Sequence, residues 1–202
     1  MTILSTAYFP NIQYFTEVLR ASELIIEQYE NFPKQTYRNR CHILAANGVL
    51  PLVVPVLNGR SGKIKTKDIK ISFVENWQKQ HYQSIKSAYS SAPFYDYIMP
   101  EFEFLFTKKF HFLIELNNSI LKTIKKLLEI KTDFSLTEDF IEINEQNKSD
   151  FRFTISPKIK IDLNSEKYIQ VFSDRFEFQP NLSILDLLFN LGPESRIFLI
   201  NN

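Results

Sequence analysis

Residues 29–55 read YENFPKQTYRNRCHILAANGVLPLVVP, and their pattern decides the fold around them. Three cations, Lys34, Arg38 and Arg40, and the amide of Asn39 stand just ahead of two apolar runs divided by Asn47-Gly48. Asn-Gly between apolar runs predicts a β-hairpin over residues 40–56, with a type I′ turn that needs positive φ at both central positions. Side chains alternate along a strand, so Arg40, His42 and Leu44 share one face and Cys41, Ile43 and Ala45 the other. A cation and an imidazole thus stand side by side, which allows an anion-binding ledge. Pro51 and Pro55 cannot donate ladder hydrogen bonds, so the second strand belongs at an edge or at a bulge.

Toward the N-terminus, Ile3–Ala7 reads as a buried strand. Asn11 is placed to cap a helix whose Ile12, Phe15, Val18 and Leu19 recur at helical spacing. Glu23–Glu27 reads as a second strand. A crossover of this kind makes the two strands parallel and brings the first helix's N-terminus, with unpaired N–H groups, beside Tyr8. That is the edge where open α/β sheets bind ligands.

Toward the C-terminus, residues 58–67 (NGRSGKIKTK) form a polar basic loop whose glycines are too close together for a P-loop. Asp68–Phe73 alternates like a strand. A helix from Glu75 to Tyr89 aligns Trp77, His81, Ile85, Ala88 and Tyr89 on one face. His111–Ile130 is the longest helix, with a stripe of Leu113, Leu116, Ile120, Leu121, Ile124, Leu127 and Leu128 that suits packing on the sheet. After a polar loop at 144–150, Phe151–Ile155 and Tyr168–Phe172 read as strands. A last helix carries Asn181 or Ser183 as N-cap, Asp186 in its first turn and Gly192-Pro193 as its stop. The expectation is an α/β protein with a mixed sheet: an N-terminal strand-helix-strand unit, the hairpin at 40–56, a helical mid-section over 75–130, and C-terminal strands closed by a helix. One domain over 1–202 accounts for this, with 131–202 as an optional sub-lobe.

Composition narrows the function. The 202 residues carry a net charge of +1, which argues against a nucleic-acid partner. Residues 1–130 hold 16 Lys/Arg against 11 Asp/Glu, while 131–202 hold 8 against 12, so the first part is the better anion binder. A single cysteine, Cys41, excludes an internal disulfide and suits a reducing compartment. The opening residues lack a basic region and an apolar run of signal length, and no window is apolar enough to span a bilayer, so a cytoplasmic protein is expected. No Asp-x-Asp, His-x-x-x-Asp, Gly-x-Gly-x-x-Gly or metal-ligand spacing occurs, so no metal site is indicated and the cofactor is left open. Glu101 and Glu103 make at most a weak magnesium pair.

Several segments together resemble the WbqC-like family: Ala7-Tyr8-Phe9-Pro10 with Tyr14-Phe15, Tyr37-Arg38-Asn39-Arg40, Ala46-Asn47-Gly48, Trp77 with His81, Ser87–Phe94, and Asn181–Asn190. The resemblance implies a place in bacterial surface-polysaccharide (O-antigen) synthesis. It also implies a transferase, with glycine or another aminoacyl group passing to an amino sugar or sugar nucleotide. The chain departs from the commoner family pattern in three places. Ser5-Thr6 stands where many members have Gln-Pro, and Gln13-Tyr14-Phe15 where they have Gly-Tyr-Phe. A usual Tyr-Asp-Asp is replaced by the Glu27–Glu30 region, so a function of those paired aspartates does not carry over.

The candidate site residues follow. Arg38 and Arg40 project to one side of an extended chain, a fork suited to a carboxylate or diphosphate; the alternative is pairing with Glu27 or Glu30 to fix the hairpin. Tyr8 and Asn39 are placed to orient a ligand. His81 shares its face with Trp77, which suits a hydrogen-bonded core histidine, while its ordinary pKa of about 6.5 also suits a general base. Asn181 and Asp186 fit helix-terminus chemistry and, through the resemblance, a site role. Asp150, Arg152 and Lys158 read as surface pairing, and Cys41 as a packed thiol. The opposing reading is a non-catalytic binding or assembly protein that docks a partner on the aromatic segment Phe94–Phe106.

Overall fold

The computed structural model describes residues 1–57, 63–143, 149–159 and 166–202. The chain opens with β1 (Thr2–Ser5), α1 (Ile12–Arg20) and β2 (Leu24–Glu27). β1 and β2 pair in parallel, Thr2 opposite Leu24 and Ser5 opposite Glu27. The short β5 (Phe134–Leu136) then adds to the far side of β2, also in parallel, giving the order β1-β2-β5. β5 has only three residues and no alternating signature. Its place comes from register against Leu24 and Ile26 rather than from local propensity.

The hairpin forms a separate antiparallel sheet of β3 (Arg40–Ala45) and β4 (Gly48–Val53), with Ala45 opposite Gly48. The positive φ falls on Gly48, at +105°, and not on Asn47. The loop residues are therefore Ala46 and Asn47, and the expected type I′ turn is replaced by one in which glycine takes the left-handed position just after them. β4 lies at an edge, as its prolines require.

α2 (Trp77–Tyr89) is capped by the Asn76 side chain and buries the predicted Trp77, His81, Ile85, Ala88 and Tyr89. α3 (Tyr95–Ile98) and α4 (Glu103–Thr107) are short pieces around Pro100. In α5 (Leu113–Leu127), Leu113, Leu116, Ile120, Leu121 and Ile124 are buried, and Lys122 and Lys125 lie over the Phe134 ring of β5 at 6.0 and 5.4 Å. α6 (Ile184–Leu191) is capped by Ser183. The chain does not stop at Gly192-Pro193; it turns there into α7 (Ser195–Asn201).

Three strands expected from alternation are absent as ladders. Over Asp68–Phe73 there is a 3-10 turn, Thr66–Asp68, followed by isolated bridges of Lys70 and Ile71. At Phe151–Ile155, the Phe151 N–H bonds Ile3 alongside β1, but the chain turns at once and the Ile155 N–H bonds back to Phe151. Tyr168–Phe172 enters no sheet; its side chains hold it, as shown below. The basic loop residues 58–62 and most of the 144–150 loop lie outside the described residues.

Gly192 has φ +52°, and a Cβ there would enter the Phe94 ring, while the Phe94 N–H bonds the Phe189 carbonyl at 3.0 Å. Gly192→Ala is expected to lower stability by about 1–3 kcal/mol through this clash and the left-handed backbone. Chemical denaturation of the two proteins measures the loss.

Candidate functional site

The C-terminal ends of β1 and β2 carry a buried charge network. Glu27, ending β2, is fully buried and accepts from the Tyr29 N–H (2.6 Å), the Thr137 hydroxyl (3.0 Å), the Ile141 N–H (2.9 Å) and the Arg152 guanidinium (3.1 Å). Arg152 also grips Asp150 through Nε and Nη2, the latter at 2.6 Å. Beside it, Arg38 makes a two-pronged pair with Glu30, both contacts at 2.6 Å, and donates to the Ser5 hydroxyl at 2.6 Å. Arg152 is 1% exposed. The surface pairing expected for Asp150 and Arg152 is thus corrected: the acid two residues earlier and Glu27 together neutralise a guanidinium that enters the interior, and Lys158 takes no part among the described residues.

The next group centres on Tyr8. Its hydroxyl lies 2.9 Å from His81 Nδ1. Burial lowers the His81 pKa to about 4, the nearby Val53 backbone offsetting only part of it. His81 is neutral at pH 7.

The N-termini of α1 and α6 meet and close each other. The Ile12 N–H bonds the Leu182 carbonyl at 3.0 Å, the Gln13 N–H bonds the Asn181 side chain at 3.0 Å, and the Asn11 side chain caps Tyr14. In return the Ile184 N–H bonds the Pro10 carbonyl, the Ser183 N–H bonds His42, and the Ser183 hydroxyl donates to Phe9. Asn181 takes φ +55° to reach this position. The N–H groups expected to be free for an anion at the first helix's N-terminus are therefore spent within the protein.

Asp186 is fully buried and accepts from Tyr89 (3.0 Å), Tyr168 (2.5 Å) and Gln170 (2.8 Å). Burial raises its pKa, and these three bonds counter the rise. The Tyr89 hydroxyl in turn accepts from the Leu44 N–H of β3. Sequence reading missed Tyr89, Tyr168 and Gln170 as partners; the i, i+2 spacing of Tyr168 and Gln170, both able to donate, was the available signal.

Of the predicted residues, Tyr8, His81, Arg38, Asn39 and Asp186 are buried and bonded within the protein, Asn39 by donating to the Val54 carbonyl at 2.9 Å. Arg38 and Arg40 do not form one fork, because Glu30 takes the Arg38 guanidinium. Arg40 is half-buried, its Nε is enclosed without a partner, and it enters no ion pair among the described residues. His42 is next to it on the same face; burial and then the Arg40 charge lower its pKa, so at neutral pH Arg40 supplies the charge of this ledge. Cys41 is buried on the opposite face, and burial pushes its thiol pKa up. In the aromatic segment, Met99, Phe102 and Leu105 are core, and of its large apolar residues only Tyr97 and Phe104 are exposed.

The segments brought together here, 7–10, 37–42, 77–81 and 181–186, lie far apart in sequence. Residues 6–173 match the WbqC-like protein family. The chain belongs to that family. The match ends before Asn181, although Asn181–Ser183 completes the first turn of α1. A relative in Mycobacterium tuberculosis (strain ATCC 25618 / H37Rv), named uncharacterized protein Rv1507c, is 25% identical over 226 residues, covering 98% of this chain and 96% of that one. No solved structure matches the chain. Among the described residues, no helix is long and apolar enough to cross a membrane, and no group of three or more His, Cys, Asp or Glu is arranged to hold a metal.

Two outcomes follow. Removing the charge of Glu27 leaves Arg152 buried beside one carboxylate fewer, so Glu27→Gln is expected to cost about 3–5 kcal/mol in urea unfolding. His81 has a folded pKa near 4 against 6.5 unfolded, so the unfolded chain binds the extra proton between these values. Its stability contribution is complete above pH 6.5 and falls by about 3 kcal/mol as pH drops to 4. The difference between wild type and His81→Gln across that window should show this slope.

Proposed function

We propose that this WbqC-like protein is a transferase of bacterial surface-polysaccharide (O-antigen) assembly that takes a sugar nucleotide or a related amino-sugar intermediate. In the aminoacyl form of the reaction, the amino-sugar nitrogen forms an amide with the carbonyl carbon of an activated acyl donor, whose carrier leaves as the nitrogen loses a proton. The carrying observation is Arg40, a cation without a carboxylate partner among the described residues, with an enclosed and unbonded Nε. An enclosed guanidinium donor without a partner is costly, and a phosphate or carboxylate oxygen would satisfy it. His81 is not given the role of base, since its contact with Tyr8 and a pKa of about 4 make it a weak proton acceptor at neutral pH. The docking alternative draws less support, because of the large apolar residues of Phe94–Phe106 only Tyr97 and Phe104 are exposed.

Thermal-shift titration tests this with uridine diphosphate, a uridine-diphosphate amino sugar, the free amino sugar and inorganic phosphate. The nucleotide-activated amino sugar is expected to stabilise the wild type, by about 2.7 kcal/mol at a hundredfold excess over its dissociation constant. Arg40→Ala should keep its fold and lose that shift. An equal shift in both proteins removes Arg40 from the site, and no shift with any compound removes the sugar-nucleotide reading.

A further inference from the structure

A wide cleft lies away from Arg40. It has a volume of about 700 Å³ and runs between residues 166–173, the turn at Ser91–Pro93 and the outer faces of α6 and α7. A second cleft of about 420 Å³ adjoins it, and Lys167, Tyr168, Gln170 and Ser173 line both. The segment is therefore shared by two hollows.

Over residues 166–170 its conformation is set mainly by side-chain bonds, and a turn follows in which the Ser173 N–H bonds the Gln170 carbonyl at 3.0 Å. Tyr168 and Gln170 both donate to Asp186 Oδ2, at 2.5 and 2.8 Å, so residues two apart face the same way, as in a strand. Gln170 is 2% exposed, while Ile169 between them is 81% exposed. Gln170 is further fixed by exchanging bonds with Gln179, its amide donating to the carbonyl and its oxygen accepting from the N–H. Yet among the described residues the backbone N–H and C=O groups of Lys167, Tyr168 and Ile169 make no hydrogen bond. The first part of the strand expected here, up to Gln170, thus keeps its ladder positions open, while the rest, from Val171, turns away.

We infer that residues 166–170 are a docking strand to which a basic, extended segment of a partner protein adds. Strand addition needs a rigid edge with free main-chain groups and hollows for alternate side chains, and both are present. The sign of the partner follows from charge. Among the described residues, Glu166 and Glu194 line the large cleft with no ion-pair partner, and Lys167 is the only cation in its lining. The exposed Ile169 and Ile197, at 81% and 60%, give apolar contact along the same cleft. This site is separate from the proposed Arg40 ledge and does not depend on it.

The test uses the full chain, amide hydrogen exchange by NMR, and the peptides acetyl-KVKVKVK-amide and acetyl-EVEVEVE-amide. Alternate main-chain groups of a strand point to opposite edges, so the basic peptide should slow exchange at Lys167 with Ile169, or at Tyr168 alone, by about tenfold or more. The acidic peptide should bind at least about tenfold more weakly, and Glu166→Lys with Glu194→Lys should reverse that preference. Ile169→Pro, at an exposed position whose N–H is unbonded, should retain the wild-type Tm and lose the peptide. The inference is overturned if neither peptide gives alternating protection. It is also overturned if protection arises without peptide and grows with protein concentration, which assigns the edge to a second copy. Protection by the nucleotide-activated amino sugar instead would make the cleft a small-molecule site. The Arg40 reading is scored separately by its own variant.

Discussion

The interior position of two guanidiniums and three carboxylates, Arg38 with Glu30 and Arg152 with Glu27 and Asp150, constrains everything around it. Burying such charges costs several kcal/mol per ion, and attraction repays this only when the remaining donors and acceptors are filled. They are filled here from five parts of the chain. Glu27 takes main-chain donors from Tyr29 and Ile141 and the hydroxyl of Thr137, while Arg38 reaches Ser5 and the Arg152 carbonyl. Strands β1 and β2, the segment before the hairpin, the stretch after β5 and residues 150–152 are thereby held in one arrangement. Loss of any one member strands a charge in the interior.

This arrangement has a functional consequence. Parallel α/β sheets usually receive ligands beyond the C-terminal ends of their strands. Here the protein's own charges fill that place: the remaining void, lined by Ser5, Thr6, Tyr14, Tyr37, Arg38 and Arg152, is only about 10 Å³. That is room for about one water molecule, and the Thr6 hydroxyl, buried without a protein partner, is the group one would serve. A sugar-sized ligand has to bind elsewhere, which directs attention to Arg40 and to the clefts beside Tyr168.

What could be read in the sequence was what local chemistry controls. The β1-α1-β2 unit, the Asn11 cap, the apolar face of α2, the hairpin strands and the Ser183 cap each follow from periodicity or from a residue's own hydrogen-bonding habit, and each is present. The turn glycine was found, but its φ went to Gly48 alone. The failures share one cause. Phe151–Ile155 and Tyr168–Phe172 have strand propensity, but strands need partners, and whether a partner exists is decided by contacts far away in sequence. Arg152 draws the first of these segments into a turn, and Asp186 holds the second outside any sheet. Arg38 and Arg40 show the same limit within a single motif. Spacing indicated that both could face one way, but only the distant Ser5 and nearby Glu30 decide that Arg38 is consumed while Arg40 is left.

The closure of the two helix N-termini completes this reasoning. An unpaired first turn attracts anions because its N–H groups are unsatisfied, and its field falls off within that turn. In this protein α1 and α6 satisfy each other, through Leu182, Asn181 and Pro10. Neither therefore offers donors to a ligand, and the Asn181 side chain that might have faced a substrate is bonded to the Gln13 N–H. The two turns instead fix the Pro10–Gln13 and Asn181–Ser183 segments against His42 of β3, whose carbonyl receives the Ser183 N–H at 2.8 Å. The strand that carries Arg40 is thus braced by both helices two residues from the cation. Charge recognition of the kind proposed for this surface would rest on the single Arg40 guanidinium, carried by a braced strand, and not on a dipole or a paired fork.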